Sequence, residues 1–424
     1  MSGGSVSSRA AWGLADQVFS SLTNFALAAV VARNTSPREF GSFAVIFSTY
    51  ILILGVSRAA TTLPLLVRFS AVGDDEWRDA ARAASGTAVV IGVAAAALCA
   101  AAAAILPGTR GALLALAVCL PGLMLQEAWR HAFVAKGTPV NAFINDLLWT
   151  VVLVPALVFA ARGGDGDAAM FVLVWGIAGS VAAAVGAWQA RAIPATARAR
   201  GWLTHHRDLS WRQVGEFLAN AGSTQAVVYA SGAVSGLSST AALRGGQVLL
   251  GPLHVAYQGV WIVGLAELVR VLERRPHLFT RVAVASSLAL GVGGVVYVGL
   301  FLAFGDSLGP LVLGQTWPGA REVLVPMSLV AISWGLWLGA TVGLRALQEA
   351  SRSLRVRVIV SVMNVVGGIG GLLVGDAVGA AWGLGITYVI GVGLWWRAFA
   401  KAPRPGRGWV APEPSFTPAP EGVA

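Results

Sequence analysis

Apolar stretches of eighteen or more residues recur from one end of this chain to the other, and that pattern leaves few folds open. Twelve can be drawn in the 424 residues, at about 12–33, 41–66, 84–106, 111–133, 140–161, 168–190, 212–234, 238–268, 282–304, 320–345, 356–375 and 377–398. A hydrocarbon core of roughly 30 Å takes about 20 helical residues to cross. Lipid offers the backbone no hydrogen-bond partner, so segments of this length satisfy themselves only as helices. The sequence predicts an all-α, polytopic membrane protein with about twelve spans. Composition agrees. Asp, Glu, Lys and Arg make up 12% of the chain, against roughly 25% in a soluble domain, and mean hydropathy is +0.71. A soluble enzyme, a disordered chain and a nucleic-acid binder are excluded on these grounds.

The formal charge of +10 is a topology signal. With the N-terminus placed in the cytoplasm, 23 of the 30 Lys and Arg fall in inner loops and ends, and five (Arg33, Arg38, Arg110, Arg162, Arg321) fall outside. That asymmetry obeys the positive-inside rule and predicts an inner-membrane protein with both termini cytoplasmic. The first apolar stretch contains Asp16, Gln17 and Asn24 and lacks a small-residue cleavage site, so it reads as a retained helix. The predicted organisation is a short N-terminus (1–11), six spans (12–190), a basic linker loop (191–211), six more spans (212–398) and a Pro-rich disordered tail (399–424). Cys99 and Cys119 both lie in apolar stretches and read as small buried residues.

Six spans return the chain to its starting side, so the second six would repeat the orientation of the first, around a central cavity. Asp16, Ser20 and Asn24 in span 1 are matched, 200 residues on, by Glu216, Asn220 and Thr224 in span 7. Each set has i, i+4, i+8 spacing and forms a polar stripe on one helical face. The loops at 133–139 and 347–353 form a second echo.

Two arginines, Arg58 in span 2 and Arg244 in span 8, lie within the apolar stretches. Ionisable groups at that depth cost roughly 2.5–3.5 kcal/mol on insertion scales and point to function. Ser57, Thr61 and Thr62 flank the first, while Gln247, His254 and Gln258 follow the second along a helix that Gly251-Pro252 should kink. The functional reading is a cavity lined by spans 1, 2, 7 and 8 whose guanidinium groups hold an anionic head group. A structural reading competes: Arg58 pairs with Asp16, and Arg244 snorkels outward. Glu127 with Arg130, and Asp146 with Asn145, read as ion-pair groups at the inner interface. The run 205–208 (HHRD) reads as chance, His254 as a hydrogen-bonded helix residue, and the Gly335/339/343 and Gly367/371/375 series as close helix contacts. No Walker-type phosphate loop, zinc motif or nucleophile elbow occurs, and the outer loops, the longest at about 305–319, are too short for a catalytic domain. An enzyme is not expected, nor is a cofactor or bound metal.

Several stretches carry a family resemblance. WGLADQVFSSLTNF at 12–25, SPREFG at 36–41, LGQTWPGA at 313–320 and LRALQEASR at 344–352 resemble patterns of the multidrug/oligosaccharidyl-lipid/polysaccharide exporter superfamily. Ala350 departs from the glycine usual near that position. The SPREFG-type turn and the arginines of spans 2 and 8 fit the polysaccharide branch better than the multidrug branch. The resemblance implies a flippase moving a lipid-diphosphate-linked oligosaccharide from the inner to the outer leaflet; depth, charge and spacing make Arg58, Arg244, Asp16, Gln17, Ser20, Asn24, Glu216, Asn220, Thr224 and Gln247 the cavity candidates. Its partners would be the lipid-linked glycan, the bilayer and polysaccharide-assembly enzymes docking on the basic loops; the protein would act as a monomer. An ion-coupled exporter of small molecules is the alternative, and a membrane glycan polymerase or ligase is less favoured.

Overall fold

The structure, a computed structural model, describes residues 6–163 and 166–403, without the side chains of residues 6–11, 13, 14, 16, 17, 219, 220 and 262. The described residues are helical throughout and contain no strand. In the first half these are α1 (Val6–Asn34), α2 (Pro37–Ser57), a π-helical turn (Arg58–Thr62), α3 (Leu63–Arg68), α4 (Asp74–Ile105), α5 (Arg110–Ala135), α6 (Pro139–Ala161) and α7 (Ala168–Ala190). A two-turn helix, α8 (Ala199–His205), leads into α9 (Arg207–Val234), α10 (Leu237–Leu249), α11 (Gly251–Arg274), α12 (Phe279–Leu313), α13 (Trp317–Ala346) and α14 (Ala350–Ala400).

Eight helical stretches are long and apolar enough to cross a membrane. Two of them, Pro276–Ala346 and Ala350–Ala400, have 71 and 51 residues and so exceed a single crossing. The first folds back at Gly314 (φ 52°) and the second at Gly375–Asp376, where Asp376 has φ 50°. The polar-striped α1 and α9 fall short of that criterion, so a count of twelve crossings depends on them. Predicted span 8 is broken at Leu250, before Gly251-Pro252, as the sequence suggested.

Three predicted features change. The stretch 305–319 is not an outer loop: α12 runs on to Leu313 because Gly305 and Gly309 leave a flat face that Trp317 covers. The linker 191–211 is not a plain loop, since α8 docks and α9 begins at Arg207. Residues 399–402 of the predicted tail are ordered, with Phe399 and Ala402 buried, whereas 404–424 lie outside the described residues.

The SPREFG turn shows how local chemistry sets a junction. Ser36 caps α2 by accepting from the Glu39 N–H at 3.3 Å, and Pro37 occupies the first turn, where a missing N–H costs nothing. Glu39 reaches across to accept from the Ala168 N–H at 2.9 Å, capping α7. Phe40 is fully buried, and Gly41 lets α2 lie directly on the Leu237 carbonyl of α10.

Helix pairing in the first half recurs in the second. The α4–α5, α5–α7 and α1–α6 contacts correspond to α12–α13, α13–α14 and α9–α14. The two halves meet where α2 lies along α9 and α10, and where α1 touches α11 and α12. At the end remote from the basic loops, one apolar core takes residues from both halves: Leu27, Phe40 and Leu116 with Ala241, Leu313 and Leu324. At the basic end the cores are separate, around Trp77 and Trp129 in the first half and Phe279 and Trp395 in the second. The remote end therefore holds a core shared by both halves, whereas at the basic end the halves meet where α9 lies against the π turn and where Arg68 pairs with Asp208. Gly335, Gly339, Gly343, Gly367 and Gly371 sit in close helix contacts as expected; Gly375 does not, because it lies at the fold-back of α14; both cysteines are free and buried.

Candidate functional site

A polar cavity of about 210 Å³ lies within the first half, walled by α1, α2, α5, α6 and α7. Its α1 wall is Ser20, Ser21, Thr23 and Asn24, and its aromatic walls are Phe47, Tyr50, Trp149 and Trp175. Arg58, Gln126, Glu127, Arg130 and Asp146 complete it. The volume is below the roughly 300–1,000 Å³ of a typical ligand pocket, so in this state it has room for a head group rather than an oligosaccharide.

Arg58 opens the π turn. Pro64 has no N–H to give the carbonyl four residues back, and its ring crowds that carbonyl, so the helix widens there. Arg58 Nε donates to Glu127 Oε1 at 2.6 Å, and 41% of its side chain remains exposed. Glu127 is also 3.0 Å from His131 Nδ1 and 3.8 Å from Arg130 Nη1. Arg130 Nε lies 3.3 Å from Asp146 Oδ2, while Gln126 Nε2 donates to Asp146 Oδ1 at 2.8 Å. Asn145 ties the cluster to α7 through the Ala182 carbonyl at 2.8 Å.

The expected Glu127–Arg130 ion pair is present at 3.8 Å, but Glu127 is buried and lies closer to Arg58. Arg58 is no free cation, because Glu127 is its partner; the side chain of Asp16 lies outside the described residues. Two carboxylates meet two guanidiniums in the described cluster, which offers an incoming anion little net charge. The sequence signal for it was the pair of polar doublets, Gln126-Glu127 and Asn145-Asp146, inside apolar spans.

Arg244 is different. Its guanidinium covers the Phe47 ring, with Cζ 4.9 Å from the centroid, and Nη1 donates to Gln247 Oε1 at 3.1 Å. Its Nε is buried without a hydrogen-bond partner, and among the described residues no carboxylate pairs with it. It does not snorkel free of the protein. Phe47 is a wall of the cavity, and Arg58 is eleven residues, about 16 Å of rise, further along the same helix. Arg58 lines the cavity; Arg244 does not, and meets it only through the Phe47 ring.

Of the other predicted residues, Ser20 and Asn24 line the cavity and Gln247 partners Arg244. Glu216 and Thr224 are exposed on α9 and do not line it. The side chains of Gln17 and Asn220 lie outside the described residues. His254 meets Gln258 at 2.9 Å and stacks on Trp334, as expected of a helix residue with a bonded ring.

No protein-family model matches the chain, and no curated protein matches it in sequence. Solved structures do. The lipid II flippase MurJ in an inward closed conformation overlays with a TM-score of 0.71 at 11% identity, covering 92% of this chain and 87% of that one. An inward-facing multidrug resistance MATE family transporter of the MOP superfamily gives 0.70 at 12% identity, covering 92% and 98%. An outward-facing MATE transporter gives 0.58 at 10% identity, covering 92% and 94%. The chain has the all-helical fold of the lipid II flippase MurJ and of these MATE family transporters.

Proposed function

We propose that this protein is a membrane transporter that moves a lipid-diphosphate-linked oligosaccharide from the inner to the outer leaflet for cell-surface polysaccharide assembly. Arg244 carries the reading. A guanidinium held inside the membrane-spanning region without a carboxylate leaves a cost of several kcal/mol that an anionic ligand would offset. A cationic drug would add to that cost. The positive-inside orientation places Arg58 nearer the cytoplasm, so the head group meets Arg58 first. There it competes with Glu127, which keeps Arg130 and His131 as partners. Arg244, further from the cytoplasm and seated on the Phe47 ring of the cavity wall, takes the diphosphate next, and the hydroxyl and amide groups of α1 face the sugars. Binding stays weak enough for release because each arginine gives one or two charge-assisted contacts.

The test is mass spectrometry of the lipid fraction from a deletion strain complemented with wild type, Arg58→Ala, Arg244→Ala or Arg244→Lys. Accumulation of a diphosphate-linked oligosaccharide, cleared by wild type and not by the Arg244 variants, supports the proposal and identifies the cargo. Absence of any such intermediate, in a background free of other flippases, refutes it. A second reading, a cation-coupled small-molecule exporter, draws on the buried Glu127 and Asp146 at the cavity. It predicts that Glu127→Gln abolishes drug efflux while lipid composition stays normal.

A further inference from the structure

Beyond the cavity, α8 is bound to the part of the first half that carries Arg58. Trp202 of α8 is 6% exposed, and its indole Nε1 donates to the Ala60 carbonyl at 3.1 Å. Ala60 lies inside the π turn and is the carbonyl that Pro64, four residues on, cannot bond. The Trp202 ring also stacks with Phe69 at 5.8 Å and meets His206 edge-on at 4.2 Å. Arg68 closes the contact, with Nη1 2.7 Å from His206 Nδ1 and Nη2 2.6 Å from Asp208 Oδ2. On the other side, the Ala195 N–H donates to the Arg82 carbonyl at 2.8 Å, and Arg198 lies 3.4 Å from Asp79. Apart from the Trp202–His206 ring contact, each of these ties the linker, or Asp208 at the start of α9, to the first half. Yet α9, the first helix of the second half, starts one residue after His206.

We propose that α8 is a coupling element between the two halves and that Trp202 is a positioning residue for Arg58. The indole N–H replaces the donor Pro64 lacks and so keeps the turn in its widened form. A rearrangement that swings the start of α9 away from α3 breaks the Arg68–Asp208 link and withdraws Trp202. The Ala60 carbonyl is then left without a donor, because Pro64 can supply none in either helical form, and the turn loosens. Arg58, its first residue, is then no longer held in its present aim. Movement of the halves is thereby tied to whether the cavity presents Arg58. The role of Arg58 as a head-group contact is taken from the proposal above; the tie between α8 and the turn does not depend on it.

The experiment measures amide hydrogen exchange over residues 55–68 in the full-length protein, ligand-free, for wild type, Trp202→Phe and Trp202→Ala. Isothermal titration with inorganic pyrophosphate is run on the same samples and on Arg58→Ala. Trp202→Phe keeps ring packing and removes only the donor. It should speed exchange across the turn by about tenfold, with remote helices unchanged, and weaken any Arg58-dependent pyrophosphate binding. Unchanged exchange over 55–68 in Trp202→Phe overturns the proposal, whether or not Trp202→Ala folds. Faster exchange with Arg58-dependent pyrophosphate binding intact overturns the positioning role. If wild type binds no pyrophosphate, the head-group reading fails, and the exchange result alone decides the coupling.

Discussion

A single methyl group at Gly41 should part the two halves of this protein at one end. Gly41 lies at the end remote from the basic loops, where α2 of the first half crosses α10 of the second. A β carbon there would fall 1.8 Å from the Leu237 carbonyl oxygen, against a least tolerated separation of 3.0 Å, so the helices must part by about 1.2 Å. The obstacle is backbone, which no rotamer change can move aside. Overpacking of this kind costs about 1–3 kcal/mol. The clash exists only while the two halves are in contact at this end, so the cost falls on that state alone and shifts the equilibrium by roughly 5- to 150-fold toward separation. Spin labels at Arg38→Cys and Ser238→Cys, both exposed, would report the change by pulsed electron resonance after the buried Cys99 and Cys119 are replaced by Ala. Gly41→Ala should enlarge the long-distance population. Gly371→Ala is the control: its β carbon would meet the Gly379 carbonyl oxygen at 2.0 Å, but both residues belong to α14. That variant should lose thermal stability and leave the label distances alone. If Gly41→Ala folds, melts as wild type and keeps the wild-type distances, or if the two variants behave alike, the reasoning is refuted.

Three further outcomes are expected. Glu127→Gln strands Arg58 and weakens the hold on Arg130, and should cost about 3 kcal/mol of stability; Arg58→Met with Glu127→Gln should lose less than the two single changes together, measured by unfolding in detergent. Asp376→Gly relieves a positive φ at an exposed turn and should raise stability by about 1 kcal/mol, seen as a higher Tm. His206 titrates at about 4, lowered by burial and by the Arg68 and His205 beside it, with Asp208 opposing. Its unfolded value is near 6.5, so protonation disfavours the docked linker. Stability from this group is intact above about pH 6.5 and is lost as pH falls toward 4. The acid-side fall in Tm should flatten in His206→Gln, and an unchanged slope would count against the assignment.

Much of the fold was legible from the residues. Span ends fell close to the observed helices because hydrophobic length and backbone satisfaction within a helix are local properties. The breaks at Gly251-Pro252 and Gly375–Asp376 were legible for the same reason, as was the role of SPREFG as a capped turn. Two of the cavity groups, Ser20 and Asn24, could be found because their spacing alone puts them on one face. The partner of Arg58 could not. Glu127 is 69 residues away, and which acid it meets depends on how α2 and α5 pack among many helices with similar apolar faces. Tertiary packing likewise leaves Arg244 without a carboxylate among the described residues and continues α12 under Trp317. It also sets Trp202 against a carbonyl 142 residues distant, in a stretch that reads as a polar loop. Sequence by itself determined which segments enter the membrane, since that choice is made residue by residue against lipid. Only the tertiary structure decided which buried charges meet a partner among the described residues, because neutralisation needs two side chains within a few ångströms and chain distance does not report that.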